Sequence, residues 1–160
     1  MGDTFSIQRV DYKEDIEPIQ TIRRQVFQFE QGVSPELEFD GHDEAAIHFL
    51  AYQGNEAIGT ARIRYLTTNN VNTDDANADD SKIIAKIERV AVLAEHRGNG
   101  IGKRLMEVAI AYLYSQGITA IKINAQLQAQ TFYEQLKFTA RGSNVEEAGI
   151  PYIEMWYAPI

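Results

Sequence analysis

Cysteine is absent from the 160-residue sequence. This absence excludes disulfide bonds, thiolate metal ligands and cysteine nucleophiles together. The sequence also lacks an apolar run near the roughly 20 residues that a membrane-spanning helix needs. Its first residues lack the basic-then-apolar pattern of a secretory signal peptide. We therefore expect a cytoplasmic protein that does not associate with a membrane.

Basic residues are scarce, since 15 lysines and arginines face 23 aspartates and glutamates and leave a net charge of -8. Nucleic acid is therefore not expected as a partner, because phosphate contacts need a basic surface. Several aspartates fall in the polar stretch 67–81, which has almost nothing to bury and is predicted to form a flexible acidic hairpin loop. This stretch lacks the glycine and the glutamate of a calcium-binding loop, so no metal site is predicted.

The remaining composition is typical of a single globular domain over residues 1–160, of which 44% are hydrophobic. Alternating and helical hydrophobic patterns predict the element order β-α-β-β-β-α-β-α-β-β. Gly54-Asn55 predicts a hairpin turn between the second and third strands, so these two strands should be antiparallel. No internal repeat and no interdomain linker is visible.

Three glycines at alternate positions, Gly98, Gly100 and Gly102, lie between a predicted strand and a predicted helix. Each would cost roughly 1 kcal/mol relative to alanine inside a helix, so they indicate unusual backbone dihedrals and close approach of a ligand. The free amide groups at a helix start attract anions, and Arg97 and Lys103 add positive charge. The motif therefore predicts a phosphate-bearing ligand. Its spacing fits neither a P-loop nor a dinucleotide-binding fingerprint.

Several motifs in this chain together resemble the GNAT acyltransferase superfamily, and more narrowly its ElaA/YjcF-like branch. The acetyl-coenzyme A (acetyl-CoA) signature is matched by Arg97-Gly98-Asn99-Gly100-Ile101-Gly102 after Val90-Ala91-Val92. The other matching segments, in chain order, are Val26-Phe27, Glu30-Gln31-Gly32-Val33, Glu38 with Asp40 and Asp43, His48, Gly59-Thr60-Ala61-Arg62, Lys86-Ile87-Glu88-Arg89, Asn124-Ala125-Gln126, Phe132-Tyr133-Glu134 and Gly149-Ile150-Pro151. The resemblance covers the whole chain. It implies an α/β (α+β) GNAT fold, with a mixed, mostly antiparallel, splayed sheet of six to seven strands flanked by about four helices.

The resemblance also implies acetyl-CoA as co-substrate, with no metal. The backbone of Val90, Ala91 and Val92 would pair with the pantetheine arm much as an added strand would. Gln126 stands where many relatives have an asparagine near the coenzyme. The pyrophosphate would be held by Arg97, Gly98, Asn99, Gly100, Ile101, Gly102 and Lys103.

Tyr133 matches the superfamily tyrosine that lies near the coenzyme sulfur. With an unperturbed pKa of about 10 it could protonate the departing thiolate without being ionised beforehand. The backbone N–H of Val92 would polarise the thioester carbonyl. Candidate substrate-binding residues are Glu30, in a charge-rich segment, and Arg62 and Arg64, which share one strand face and either line the site or face water.

The general base is the point at which this chain departs from its relatives. They commonly read Gly-Ile-Pro-His, with a catalytic histidine in the related glyphosate N-acetyltransferases, whereas this chain has Tyr152 after Pro151. A neutral tyrosine is a poor base at pH 7, because its ordinary pKa lies about three units higher. Glu88 acting through a water, His48, or an acceptor that arrives deprotonated are the alternatives.

These features predict an acetyl-CoA-dependent N-acyltransferase that moves an acetyl group to a primary amine of a small molecule, or to an exposed protein amine, in a ternary complex. The alternative is a noncatalytic acyl-CoA binding or sensing module, which Tyr152 in the histidine position would suit. The sequence does not identify the acceptor amine or the acyl chain preference. The oligomeric state is open, and a homodimer would be compatible with the resemblance.

Overall fold

One mixed sheet organises the computed structural model, which describes residues 4–67, 83–147 and 149–159. Its strands are β1 (Ser6–Val10), β2 (Ile47–Gln53), β3 (Glu56–Thr67), β4 (Ile83–Val92), β5 (Ala120–Gln126), β6 (Phe138–Glu147) and β7 (Ile150–Tyr157). They lie in the order β1-β2-β3-β4-β5-β7-β6, and within the described ranges only β4 and β5 pair in parallel. The acidic loop predicted at 67–81 lies, beyond Thr67, outside the described residues.

Four α-helices accompany the sheet in this part of the chain. The predicted fold class is confirmed, and the element order matches the prediction except for one additional short helix, Pro35–Glu38, before the second strand. The four helices are α1 (Ile16–Arg23), α2 (Pro35–Glu38), α3 (Ile101–Ser115) and α4 (Gln130–Gln135). α1 continues into a π-helical segment, Arg24–Glu30, and the chain then turns at Gly32, whose φ is 71°. Among the described helices none combines the length and the apolar character needed to cross a bilayer.

The main core lies between α3 and the sheet. Ile101, Leu105 and Ala109 recur at helical spacing and are buried, as the sequence predicts. Gly59 on β3 lies beneath this helix. A Cβ atom added to Gly59 would lie 3.2 Å from Leu105 Cδ1 and 3.3 Å from Ile101 Cγ2. Glycine at this position therefore allows the start of α3 to approach the sheet closely.

The sheet opens where β4 and β5 part. The two strands pair over Ile84–Lys86 and Ala120–Lys122 and then separate, although both continue toward their carboxyl ends. β4 contains a bulge next to this opening. Thr60 and Arg62 of β3 are two residues apart, whereas their partners on β4, Ala91 and Glu88, are three residues apart. Arg89, inside this bulge, has a φ of 55°. The predicted splay is confirmed. Among the described strands none covers the second edge of β4 over residues 87–92.

Candidate active site

A cavity of about 600 Å³ occupies the opening between β4 and β5. Its walls come from the π-helical segment, the α2 region, β3, β4, β5, α4 and β7. The lining residues are Phe27, Gln31, Val33, Glu38, Asp40, Arg64, Lys86, Ile87, Glu88, Arg89, Val90, Asn124, Gln126, Ala129, Tyr133 and Tyr152. The volume suits a small molecule together with one end of a larger one.

The cavity brings together many of the residues that the sequence singled out. Glu88, Tyr133 and Tyr152, three of the four candidate catalytic residues, all line it. Val90 and Gln126, two candidate coenzyme contacts, line it as well. These five residues come from β4, β5, α4 and β7, so they meet only because β4 and β5 separate.

The glycine loop lies at the amino end of α3. Gly98 and Gly100 have φ values of 84° and 79°, in the left-handed region that favours glycine. A Cβ at either position would meet no atom within 4 Å, so the space beside the loop is open. Gly100 directly precedes α3, whose first amide groups have no acceptor within the helix. The loop therefore has the donors, the dipole and the space that a pyrophosphate requires.

Arg97 connects this loop to β4 and to the π-helical segment. Its Nε donates to the Val92 carbonyl oxygen at 2.9 Å, and its Nη2 lies 2.8 Å from Glu30 Oε2. Neither Arg97 nor Glu30 lines the cavity. The structure places Glu30, a predicted acceptor contact, outside the cavity, where its carboxylate pairs with Arg97 of the glycine loop.

Arg62 lies in a buried cluster of charges beneath the cavity. Its side chain is 1% exposed, and its guanidinium donates to Asp40 at 2.8 Å and 2.9 Å, to Asp43 at 2.9 Å, and to Glu88. These bonds raise the pKa of Arg62 further above its ordinary value, although burial opposes the shift. Arg62 does not line the cavity. Its guanidinium is bonded to three carboxylates, so the structure does not bring Arg62 to the cavity as the predicted substrate contact.

Arg23 forms the second half of this cluster. Its Nε donates to Glu38 Oε1 at 2.5 Å and its Nη1 to Asp43 Oδ1 at 2.6 Å. Burial acts to raise the pKa of Asp43, but its bonds to Arg23 and Arg62 outweigh burial and lower that pKa. Asp40 behaves in the same way, with hydrogen bonds from Arg62 and from the His42 backbone holding its pKa well below its usual range. The segment after α2 is thus tied to β3 as an ionised network.

Glu88 is the member of the cluster that reaches the cavity from β4. Lys86 Nζ lies 3.2 Å from its Oε2, Arg64 Nη1 lies 3.4 Å from its Oε1, and Arg62 donates to Oε1 as well. Burial acts to raise the pKa of Glu88, but these cations hold it below its ordinary value. Glu88 is therefore ionised at neutral pH and is a weaker base than an ordinary glutamate.

His48 is not brought into the cavity. It lies on β2 opposite Arg62, is buried, and stacks on Tyr12 with the ring centroids 4.8 Å apart. Its Nε2–H donates to the Asp43 carbonyl oxygen at 2.8 Å, and burial lowers its pKa. The structure therefore places His48, one of the alternatives for the general base, in the core, where its ring supports Asp43.

Tyr133 presents its ring to the cavity from α4. It packs edge to face against Phe132 and Phe138, with centroid distances of 4.9 Å and 6.0 Å. Burial raises the pKa of Tyr133 to about 12. The hydroxyl therefore stays protonated across the physiological range and is available as a donor.

Sequence reasoning missed Arg23, Lys86 and Asn124. Arg23 lies four residues after Ile19 and three before Val26, which places it on the buried face of its helix and could have marked it as a core cation. Lys86 lies two residues before Glu88. This spacing places both side chains on the same face of a strand and predicts that they line the same side of a site. Asn124 lies two residues before the candidate coenzyme contact Gln126, and the same spacing could have placed it on the cavity face of its strand.

Both the sequence and the fold of this chain are similar to those of known proteins. The family model described as "Acetyltransferase (GNAT) domain" matches residues 11–158. The Bacillus subtilis (strain 168) protein YyaT is 31% identical over 154 residues, which is 94% of each chain. The N-acetyltransferase YjcF of the same strain is 28% identical over 135 residues, covering 84% of this chain and 86% of YjcF.

Escherichia coli ElaA shares the fold, with a TM-score of 0.77, 24% identity, and coverage of 97% of this chain and 100% of ElaA. The predicted resemblance to ElaA and YjcF is thereby confirmed. Family model, relatives and fold agree over nearly the full length of the sequence. The chain therefore belongs to the GNAT acetyltransferase family, and its activity is that of an N-acetyltransferase.

Proposed function

We propose that the protein transfers the acetyl group of acetyl-CoA directly to a primary amine of a small molecule in a ternary complex. The observation that carries this proposal is the continuity of β4. Its Val90 lines the cavity, and its Val92 carbonyl accepts a hydrogen bond from Arg97 of the glycine loop. One strand edge thus leads from an anion-binding loop to a charged cavity of small-molecule size.

The residues present fit acetyl-CoA, which would supply the activated acetyl group. The loop from Arg97 to Lys103 would hold the pyrophosphate through helix amides and positive charge. Val90, Ala91 and Val92 lie on the strand edge that β5 leaves uncovered, where an extended pantetheine arm can pair with the backbone. The thioester would then lie against the cavity wall that Tyr133 and Gln126 form.

Tyr133 acts on the departing sulfur in this proposal. Full proton transfer from a phenol with a pKa of about 12 to a thiolate with a pKa near 8.5 costs about 5 kcal/mol. Tyr133 therefore stabilises the developing thiolate mainly by donating a hydrogen bond. Its hydroxyl is protonated again at the end of the transfer. In the transfer the C–N bond forms, the C–S bond breaks, and sulfur gains one proton that nitrogen loses. A second proton of the original ammonium passes to solvent.

Glu88 is the cavity carboxylate that we assign to the acceptor amine, through a water. Its lowered pKa keeps it ionised, so it can accept a hydrogen bond from the amine or from a bridging water at neutral pH. It is too weak a base to remove an ammonium proton completely, and Tyr152 does not supply a histidine in its place. The rate should therefore rise with pH as the free acceptor amine loses its proton.

The test is calorimetric titration of acetyl-CoA, followed by a thiol-release assay with a broad panel of primary amines. Gly100→Val should lose coenzyme binding, because valine is strained at a φ of 79° beside the anion site. Gly117→Val is the matched control, since Gly117 has a φ of 78° after the other end of α3. Absence of binding in the wild type at millimolar acetyl-CoA would refute the proposal. Tight binding without turnover would instead establish a noncatalytic acyl-CoA binding module.

A further inference from the structure

Three cationic residues lie side by side across three neighbouring strands. Arg64 of β3 is directly opposite Lys86 of β4, and Lys86 is in turn paired with Lys122 of β5. Residues paired in register project to the same face of a sheet, and like charges placed opposite each other are destabilising. This row occurs in a chain whose net charge is -8, so general composition does not explain it.

The three cations are not compensated equally. Lys122 Nζ lies 2.9 Å from Glu154 Oε2, which neutralises it at one end of the row. Arg64 and Lys86 share one carboxylate, Glu88, at the long distances of 3.4 Å and 3.2 Å. That carboxylate also accepts a hydrogen bond from buried Arg62. Arg64 and Lys86 therefore have donors and positive charge in excess of what Glu88 can satisfy.

Both under-compensated side chains are accessible from the cavity. Arg64 and Lys86 line it, and their side chains are 23% and 15% exposed. Two cations that share a single carboxylate leave positive charge at the cavity wall, which suits an anionic group of a ligand.

We propose that Arg64 and Lys86 bind a carboxylate of the acceptor, so that the acceptor is an amino acid or another amine that also carries a carboxylate. This inference rests on the proposed acetyl transfer and names its substrate class. The guanidinium fork of Arg64 suits a planar carboxylate, and Lys86 adds a second point of charge. The acceptor amine would lie toward Glu88, so opposite ends of the acceptor meet opposite charges of the cavity.

The experiment compares amines that differ only in the carboxylate. Three pairs vary its distance from the amine: glycine and glycinamide, γ-aminobutyrate and its amide, and Nα-acetyllysine and its amide. We expect kcat/KM to favour the best carboxylate over its amide by roughly tenfold to a hundredfold, as a charge-assisted hydrogen bond implies. The preference should weaken as salt concentration rises.

Arg64→Gln and Lys86→Gln should each reduce this preference, chiefly through a higher KM for the carboxylate. Arg24→Gln and Lys13→Gln are the matched controls, because both residues are exposed and neither lines the cavity. They should leave the preference unchanged. Thermal unfolding and acetyl-CoA titration of each variant establish that it is folded, and the preference of the wild type tests the proposal even if one variant fails.

Two results would overturn the inference and leave the proposed function standing. One is that wild-type enzyme acetylates the amides as well as the carboxylates. The other is a carboxylate preference that persists in both Arg64→Gln and Lys86→Gln. If wild-type enzyme acetylates no amine of the panel, charged or neutral, then the proposed function fails and this inference fails with it.

Discussion

Replacement of Arg62 by methionine should destabilise the fold strongly at neutral pH. The side chain is 1% exposed and donates to Asp40, Asp43 and Glu88. Removing one partner of a buried ion pair costs about 3–5 kcal/mol. We expect about 3 kcal/mol, the lower end, because Asp43 keeps Arg23 and Glu88 keeps Lys86. For a chain of this length that corresponds to a fall in Tm of roughly 6–12 °C.

The loss should also depend on pH, with a definite sign. The pKa values of Asp40, Asp43 and Glu88 are lower in the folded protein than their ordinary values. In the wild type these carboxylates therefore add stability above roughly pH 4, and this contribution is lost as pH falls through their folded pKa values. Without Arg62 those pKa values rise. The difference in unfolding free energy between variant and wild type should then shrink as pH falls below about 4.

Urea denaturation, followed by the fluorescence of Trp156, the single tryptophan, measures the free energy of unfolding of each variant and its dependence on pH. Arg64→Met is the control on the same strand. Its side chain is 23% exposed and its contact with Glu88 is 3.4 Å long, so it should cost at most about 1 kcal/mol. A loss below 1 kcal/mol for Arg62→Met, or a loss independent of pH, would refute the assignment of Arg62 as the centre of an ionised network.

Three further predictions concern catalysis and coenzyme binding. Tyr133→Phe should bind acetyl-CoA normally in calorimetry but lower kcat by roughly 10²–10³, the effect of losing one donor to developing charge; unchanged turnover would remove Tyr133 from the mechanism. Tyr152→His should introduce a base with a pKa near 6.5 and raise kcat/KM at pH 7 by roughly a hundredfold, whereas an unaltered pH–rate profile would show that this position does not reach the amine. Glu30→Gln should free Arg97 from its exposed ion pair and tighten acetyl-CoA binding about two- to fivefold, while weaker binding would mean that Glu30 orients Arg97 for the coenzyme.

The glycine loop and the order of elements could be predicted because local rules determine them. Gly98 and Gly100 do adopt the left-handed conformation that their type indicates. Apolar spacing along α3 and the turn signal at Gly54-Asn55 depend only on near neighbours in the sequence. The separation of β4 from β5 was predicted from family resemblance alone, and no residue pattern marks the point where their pairing stops.

Arg62 and Arg64 have different environments in the fold, and this difference shows why the site could be predicted only in part. Alternation places both side chains on one face of β3, and nothing local distinguishes them. The segment 38–43 covers Arg62 with Asp40 and Asp43, but leaves Arg64 facing the cavity. Which position is covered depends on how the chain returns after α2, over a separation of about twenty residues, and strand periodicity contains no information about that return.

The position of His48 outside the cavity could not be predicted for the same reason. A histidine in a chain that lacks the expected base is a reasonable proton acceptor by residue type. In the fold it lies across from Arg62, under Tyr12, with its Nε2–H on the Asp43 carbonyl. Its neighbours are distant in sequence, so its neutral, supporting role appears only once the sheet register is known.

The short pairing between β4 and β5 has a consequence for local opening motions. The sheet has two parts, β1–β4 and β5–β7, and within the residues that the structure describes backbone hydrogen bonds join them only beside Ile84–Lys86. Amides on the free edge of β4 should exchange with deuterated solvent sooner than those of β3, which has a strand on each side. A ligand lying along that edge would slow this exchange and add stability of about 2.7 kcal/mol at a hundred times its Kd. Deuterium uptake over residues 87–92 would then report coenzyme occupancy without any acceptor present.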